Sequence, residues 1–247
     1  MPFDEVPKPI SIHIPLDLHQ LAIPFQTWLN QHPQYDRLAV GAFIFTRQSK
    51  GQSGTQEPRF LLVQRSMTER SFPNLWEVPG GSPELSDPTI LHSVAREAFE
   101  ETGLRLTKFV RQIGDGVEFN TGPKKREKKW LKLSFEIEVA EIPISETEMH
   151  RDINHEHGHG LSHEGVTHKS PTLHPVHGAI PVILDPEEHQ RYAWVSEADI
   201  RRCYSDSDPY PIVTEYQRRV MLQAFDLHNA RVLRFEQTTT ENASGGV

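Results

Sequence analysis

Residues 80–104 read GGSPELSDPTILHSVAREAFEETGL, and this stretch decides how the chain is understood. Its second half has the marks of a helix over Pro88–Thr102. Asp87 suits the N-cap, Pro88 suits the first helical position where its missing N–H does no harm, and Gly103 suits the left-handed residue past the C-terminus. Leu91, Val94, Ala95 and Ala98 recur at helical spacing and give the helix an apolar stripe. At 100° per residue, Glu97, Glu100 and Glu101 fall within an arc of about 100° on another face. Carboxylates at these spacings repel by roughly 0.2–0.5 kcal/mol per exposed pair. A solvated face tolerates that, and a plain acidic helix is the common explanation. The arrangement becomes useful when a hard divalent cation sits among the oxygens, because Mg²⁺ takes oxygen ligands and also contacts substrate phosphates. Arg96, four residues before Glu100, can hold the cluster in place. The Gly80-Gly81 turn upstream lets bare backbone approach a ligand, and that favours the functional reading.

Strand and helix signals alternate outward from this stretch. Upstream, Leu16–Asn30 has helical spacing interrupted by Pro24. Leu38–Thr46 and Phe60–Arg65 are strand candidates, and the wholly polar Arg47–Pro58 between them suggests a hairpin. Ser71–Gly81 is a loop with aromatic anchors. Downstream, Phe109–Ile113 and Trp130–Ala140 read as strands, the latter with a clear period of two through Leu131, Leu133, Phe135, Ile137 and Val139. A last helix is expected over Ile212–Leu227. The interleaving predicts an α/β or α+β class.

Composition bounds the function. The 247 residues fit one large domain with extensions, at roughly 150 residues per domain. With 26 Lys and Arg against 34 Asp and Glu, the formal charge is −8, so there is no global basic field to hold duplex nucleic acid. An acidic protein that handles anionic phosphates needs a cation to mediate. The single cysteine, Cys203, excludes an intramolecular disulfide and a thiolate zinc site. Neither a secretory leader nor a membrane span is expected: the first ten residues are acidic and proline-rich, and the longest apolar run, Leu38–Phe45, is far too short. A soluble intracellular protein is the expectation.

Gly80-Gly81 followed by Arg96-Glu97-Ala98-Phe99-Glu100-Glu101-Thr102-Gly103-Leu104 resembles the signature box of the Nudix hydrolases, G-x5-E-x7-R-E-U-x-E-E-x-G-U with U aliphatic. Counting from Gly81, Asp87 stands where the family has Glu, and one extra residue separates it from Arg96. Leu61–Arg65 and Leu75–Pro79 also resemble the family's approach to its box, and the likeness covers roughly residues 36–200. It implies an α/β/α sandwich with a mixed sheet between helices. By the same likeness, Glu97, Glu100 and Glu101 bind Mg²⁺ or Mn²⁺, together with the Gly81 carbonyl. Some members add a Glu a few residues before a Trp on a later strand; Glu188, ahead of Trp194, has that placement, with Glu187 in reserve. Asp87 takes the place of the Glu that steadies the box arginine. The implied chemistry is hydrolysis of the diphosphate linkage in a nucleoside diphosphate joined to another moiety. Glu97 is the first choice of base and Glu100 the second.

The resemblance divides the chain into an N-terminal extension (1–35), the Nudix domain (36–205), a helical extension (206–237) and a disordered tail (238–247). An insertion of about 143–185 carries eight of the fourteen histidines between His150 and His177, and reads as a loop that binds metal only adventitiously. Arg65, at a strand end, is a candidate for a substrate phosphate, with a solvated strand end equally in view. Trp76 reads as a core anchor and Cys203 as packing. Lys124–Lys129, five basic residues in six, reads first as a solvated turn and second as a nuclear address, so the expected location is cytoplasmic with a nuclear alternative. A small-molecule substrate is expected, with no duplex nucleic acid, no membrane, and room for a homodimer. Three rivals are a Nudix domain that binds or senses nucleotides without cleaving them, an isomerase on the same fold, and metal buffering by the histidine-rich segment.

Overall fold

In the computed structural model the described residues are 12–46, 57–140, 180–203, 208–212 and 214–244, with side chains described as far as residue 234. The class is mixed α+β, as expected. Two three-stranded sheets carry the fold. In the first, β1 (Arg37–Ile44) runs parallel to β5 (Lys128–Val139), which pairs antiparallel with β4 (Leu106–Thr121). In the second, β2 (Arg59–Arg65) lies between β3 (Trp76–Glu77) and β6 (His189–Ser196), antiparallel to both. Among the described residues four α-helices accompany them: α1 (Phe25–Gln31), α2 (Ile90–Thr102), α3 (Glu197–Arg201) and α4 (Glu215–Ser244).

Period-two alternation sorts the strand residues between two cores. Leu38, Val40, Ala42 and Ile44 of β1 and Leu61 of β2 pack with Ile90, Leu91, Val94 and Ala98 of α2. Phe43 and Phe45, with Phe60 and Leu62, pack instead with Met221, Ala224 and Phe225 of α4. The strands therefore sit between α2 and α4, the sandwich that the resemblance implied. Each large apolar side chain so enclosed contributes about 1.5–3 kcal/mol.

Several local expectations change. Among the described residues the strands flanking the polar Arg47–Pro58 stretch do not pair along their length: β1 and β2 enter different sheets and pair only at the antiparallel bridge between Phe45 and Phe60. Residues 47–56 of that stretch lie outside the described residues. The N-cap of α2 is Thr89, whose hydroxyl accepts from the His92 N–H, and the helix begins at Ile90. Asp87 is drawn away from capping by Arg96. At the other end Gly103 is left-handed at φ 69°, as expected. The interruption expected at Pro24 is present: it separates a 3₁₀ turn, Leu16–Leu21, from α1. The last helix does not stop at Leu227; α4 continues to Ser244, through most of the span read as a tail. The histidine-rich run falls outside the described residues, but Ile180 just after it is buried against the core of α2.

The alternation of β5 suggests one buried face, yet Lys132, Ser134 and Glu136 on the other face are buried as well. Helix α4 covers that face. It is held by Glu136, whose carboxylate meets Arg111 of β4 at 3.0 Å and His228 of α4 at 2.8 Å, with Arg231 at 3.4 Å. Lys124–Arg126 form an exposed 3₁₀ turn between β4 and β5, as expected of a solvated turn. No helix among the described residues is long and apolar enough to cross a membrane.

Candidate active site

The glycine turn is seated on β1 by backbone alone: Val40 N–H donates to the Gly81 carbonyl and Ala42 N–H to the Pro79 carbonyl, both at 2.8 Å. The fit is close. Gly80 lies at φ 149°, and a Cβ there would stand 2.2 Å from the Val40 carbonyl oxygen. On the α2 side, Gly80 N–H donates to Glu101 Oε2 at 2.7 Å. A Cβ on Gly81 would stand 2.7 Å from both carboxylate oxygens of Glu97. Helix α2 thus turns Glu97 and Glu101 onto the glycines, both almost fully buried, while Glu100 on the same face stays exposed.

Arg96 organises the outer side of the cluster. Its guanidinium reaches Asp87 through Nε and Nη2, each at 3.0 Å, and Glu100 through Nη1 at 2.8 Å. Nη2 also meets the Ser82 carbonyl and Glu97, both at 3.0 Å. The aspartate therefore reaches the arginine despite its shorter side chain and the extra residue between them.

Burial sets the charge state. It pushes the Glu97 carboxyl up to about 7, against the opposing pull of Arg96. Burial also raises Glu101 well above the ordinary carboxylate range, with Glu77 and Glu97 adding to the effect. Arg96 beside Glu97 and Lys132 near Glu101 offset this only in part, and a divalent cation would balance the remaining charge. The donor set of buried carboxylates beside a backbone carbonyl fits such an ion. The Gly81 carbonyl already accepts from Val40, and its second lone pair remains.

Glu188 is brought to the same place from the turn before β6. Glu101, Glu188 and His189 offer ligand atoms within 4.8 Å of one another. Two buried residues of this region were not singled out from sequence. Glu77 is held by Arg65 Nη1 at 2.7 Å and Lys132 Nζ at 3.3 Å. Burial raises its carboxyl, but the two cations overcome that and keep it below the usual range. His189, 1% exposed, is pushed down to about 4 by burial. Glu77 sits directly before Val-Pro-Gly-Gly and His189 directly after the candidate Glu188, the only local signals either offers.

Arg65 turns its donors to the protein itself: Glu77, Glu69 at 2.8 Å and the Ser71 carbonyl at 2.8 Å. In this arrangement it steadies Glu77. Trp76 is buried edge-on to Tyr210 and serves as a core anchor, and Cys203 is buried with its thiol on the Asp199 carbonyl.

A family model described as NUDIX domain matches residues 36–216. Among curated proteins, the m7GpppN-mRNA hydrolase NUDT17 of Danio rerio is 49% identical over 49 residues, 20% of this chain and 16% of that protein's own length. The RNA pyrophosphohydrolase of Bartonella bacilliformis is 28% identical over 124 residues, 45% of this chain and 69% of that protein. Among solved structures, the MutT protein of Methanosarcina mazei Go1 is similar at a TM-score of 0.44 and 24% identity, over 78% of this chain and 94% of that one.

Proposed function

Because this chain belongs to the NUDIX family, we propose that it hydrolyses the diphosphate linkage of a nucleoside diphosphate joined to another moiety, with Mg²⁺ or Mn²⁺ as cofactor. The observation that carries the reading is the packing of Glu97 and Glu101 onto the pinned Gly80-Gly81 turn, with Glu188 beside Glu101 and Glu100 on the same face of α2. Those four carboxylates and the Gly81 carbonyl would hold the cation. When bound, it supplies charge neutralisation at the diphosphate and makes water easier to deprotonate.

The protein's own groups account for the rest. Val40 and Ala42 hold the glycine turn at a fixed distance from α2, so the carboxylates face a backbone that does not move with side-chain rotation. Arg96 orients Glu97 and Glu100 together. Glu97 is the proposed base: burial gives it affinity for a proton near neutral pH, the range in which a carboxylate serves that role well. Glu100, exposed and held only by Arg96, is the alternative. The substrate is expected to be a small nucleotide derivative. The names of the two curated relatives add the 5′ end of RNA to the compounds worth testing, alongside dinucleotides and ADP-ribose-like molecules.

The test is incubation of purified protein with Mg²⁺ and these compounds in H₂¹⁸O, with products identified by mass spectrometry. Glu100→Gln and Glu101→Gln run beside the wild type. Metal-dependent turnover lost in both variants supports the proposal, and the ¹⁸O position shows which phosphorus is attacked. Absence of turnover, with nucleotides still raising the melting temperature, would replace it with a nucleotide-binding role.

A further inference from the structure

His189 is the buried polar side chain at the site whose environment nothing above explains. Among the described residues, neither Nδ1 nor Nε2 has a hydrogen-bond partner, although burial normally demands one. Its position is not loose. The His189 N–H donates to the Asp185 carbonyl and the Ser66 N–H donates to the Glu188 carbonyl, each at 2.8 Å, so the backbone is fixed on both sides of the pair. Nε2 stands 3.9 Å from Glu101 Oε1, too far for a hydrogen bond. That separation suits two ligands of one ion, since donor atoms each roughly 2.0–2.2 Å from a cation stand no more than about 4.4 Å apart. The Glu188 carboxylate is exposed at the rim and free to rotate toward the same point.

We infer that His189 is a nitrogen ligand of the divalent-cation site, completing a set with Glu101 and Glu188. This rests on the reading that the carboxylate cluster holds a cation. An imidazole among the oxygens shifts preference from Mg²⁺, which favours oxygen, toward ions that accept nitrogen more readily, Mn²⁺ slightly and Zn²⁺ strongly. The turn before β6 then selects the metal, while α2 supplies the carboxylates common to any of them.

Manganese alone is the probe. Binding to the full chain is followed by the loss of the free Mn²⁺ electron paramagnetic resonance signal, and pulsed spectra of the bound ion report ¹⁴N modulation from a coordinated imidazole. The wild type is expected to show the modulation, and His189→Gln to lose it. The variant's Mn²⁺ affinity falls by about tenfold or more, the scale on which even the outer partners of a metal site act. Mg²⁺ affinity changes much less. Bound Mn²⁺ without ¹⁴N modulation, or modulation that survives in His189→Gln, overturns the inference and leaves the carboxylate site intact. No Mn²⁺ binding at all removes both the inference and the cation reading beneath it. If His189→Gln fails to fold by circular dichroism, His189→Asn, whose shorter amide leaves more room, takes its place. Loss of the modulation there supports the inference, and modulation that survives refutes it.

Discussion

Gly81→Ala should separate chemistry from stability at this site. Gly81 does not occupy the left-handed region, so alanine brings no backbone strain, and the carboxylate of Glu97 is what the new methyl meets. Both oxygens stand 2.7 Å from the added Cβ, against ordinary contact from 3.4 Å, so the carboxylate must retreat by about 0.7 Å. Displacements near 1 Å at a reacting centre cost on the order of 10²-fold. We expect kcat to fall by roughly 10- to 100-fold with a stability change of about 1 kcal/mol or less, because a side-chain end can move without disturbing the fold. The assay is steady-state hydrolysis of the best substrate at saturating Mg²⁺, beside a thermal melt. Gly80→Ala is the contrast: its Cβ would strike the Val40 carbonyl at 2.2 Å from a positive φ, and should cost about 3 kcal/mol or more. A Gly81→Ala enzyme with kcat within about threefold of wild type would refute the idea that the seating of Glu97 limits the reaction.

Other outcomes follow from the same contacts. Asp87→Asn loses charge-assisted bonds to Arg96 and should cost about 1.5–3 kcal/mol, read as a fall in melting temperature. Burial pushes the Asp87 carboxyl up, but the Arg96 bonds prevail and hold it below its ordinary 3.8. Its contribution is therefore present above that pH and lost as pH falls below it, so the variant's acid limb should be flatter there than the wild type's. Glu101→Gln should raise the melting temperature of metal-free protein, since a neutral amide avoids the cost of a buried carboxylate, and should abolish the further rise that Mg²⁺ gives the wild type. Glu136→Ala should cost about 3 kcal/mol by leaving half-buried Arg111 without its partner and loosening α4, as denaturant unfolding would show.

Helix α2 and its carboxylate face were readable because both depend on spacings of three and four residues within one segment. Its start was misplaced because Asp87 has a claimant nine residues away, and a long-range arginine outcompetes a local backbone amide. The supposed hairpin failed for a similar reason: adjacency along the chain implied pairing, whereas β1 finds β5 some ninety residues later. Glu188 was suggested by the family resemblance, through its place ahead of Trp194. Its neighbour His189 was not, because its place is created by Glu101 arriving from another element. Glu77 and Lys132 were hidden likewise, since Lys132 is tolerable in the interior as a counterion of Glu77, which Arg65 holds as well.

The glycine turn is fastened to β1 at Pro79 and Gly81, and the chain is fastened again at Asp87 by Arg96 and at Thr89 by its cap. Between these moorings Arg96 also holds the Ser82 carbonyl and Asp87 accepts from the Glu84 N–H, so the exposed Leu85 and Ser86 are the loosest part of the span. Their number is therefore uncoupled from the distance between the glycines and the carboxylates. A residue added or removed there changes the slack of the span and not its endpoints, so this is a segment where length can drift, or be engineered to reach a different leaving group, while the reacting centre keeps its dimensions.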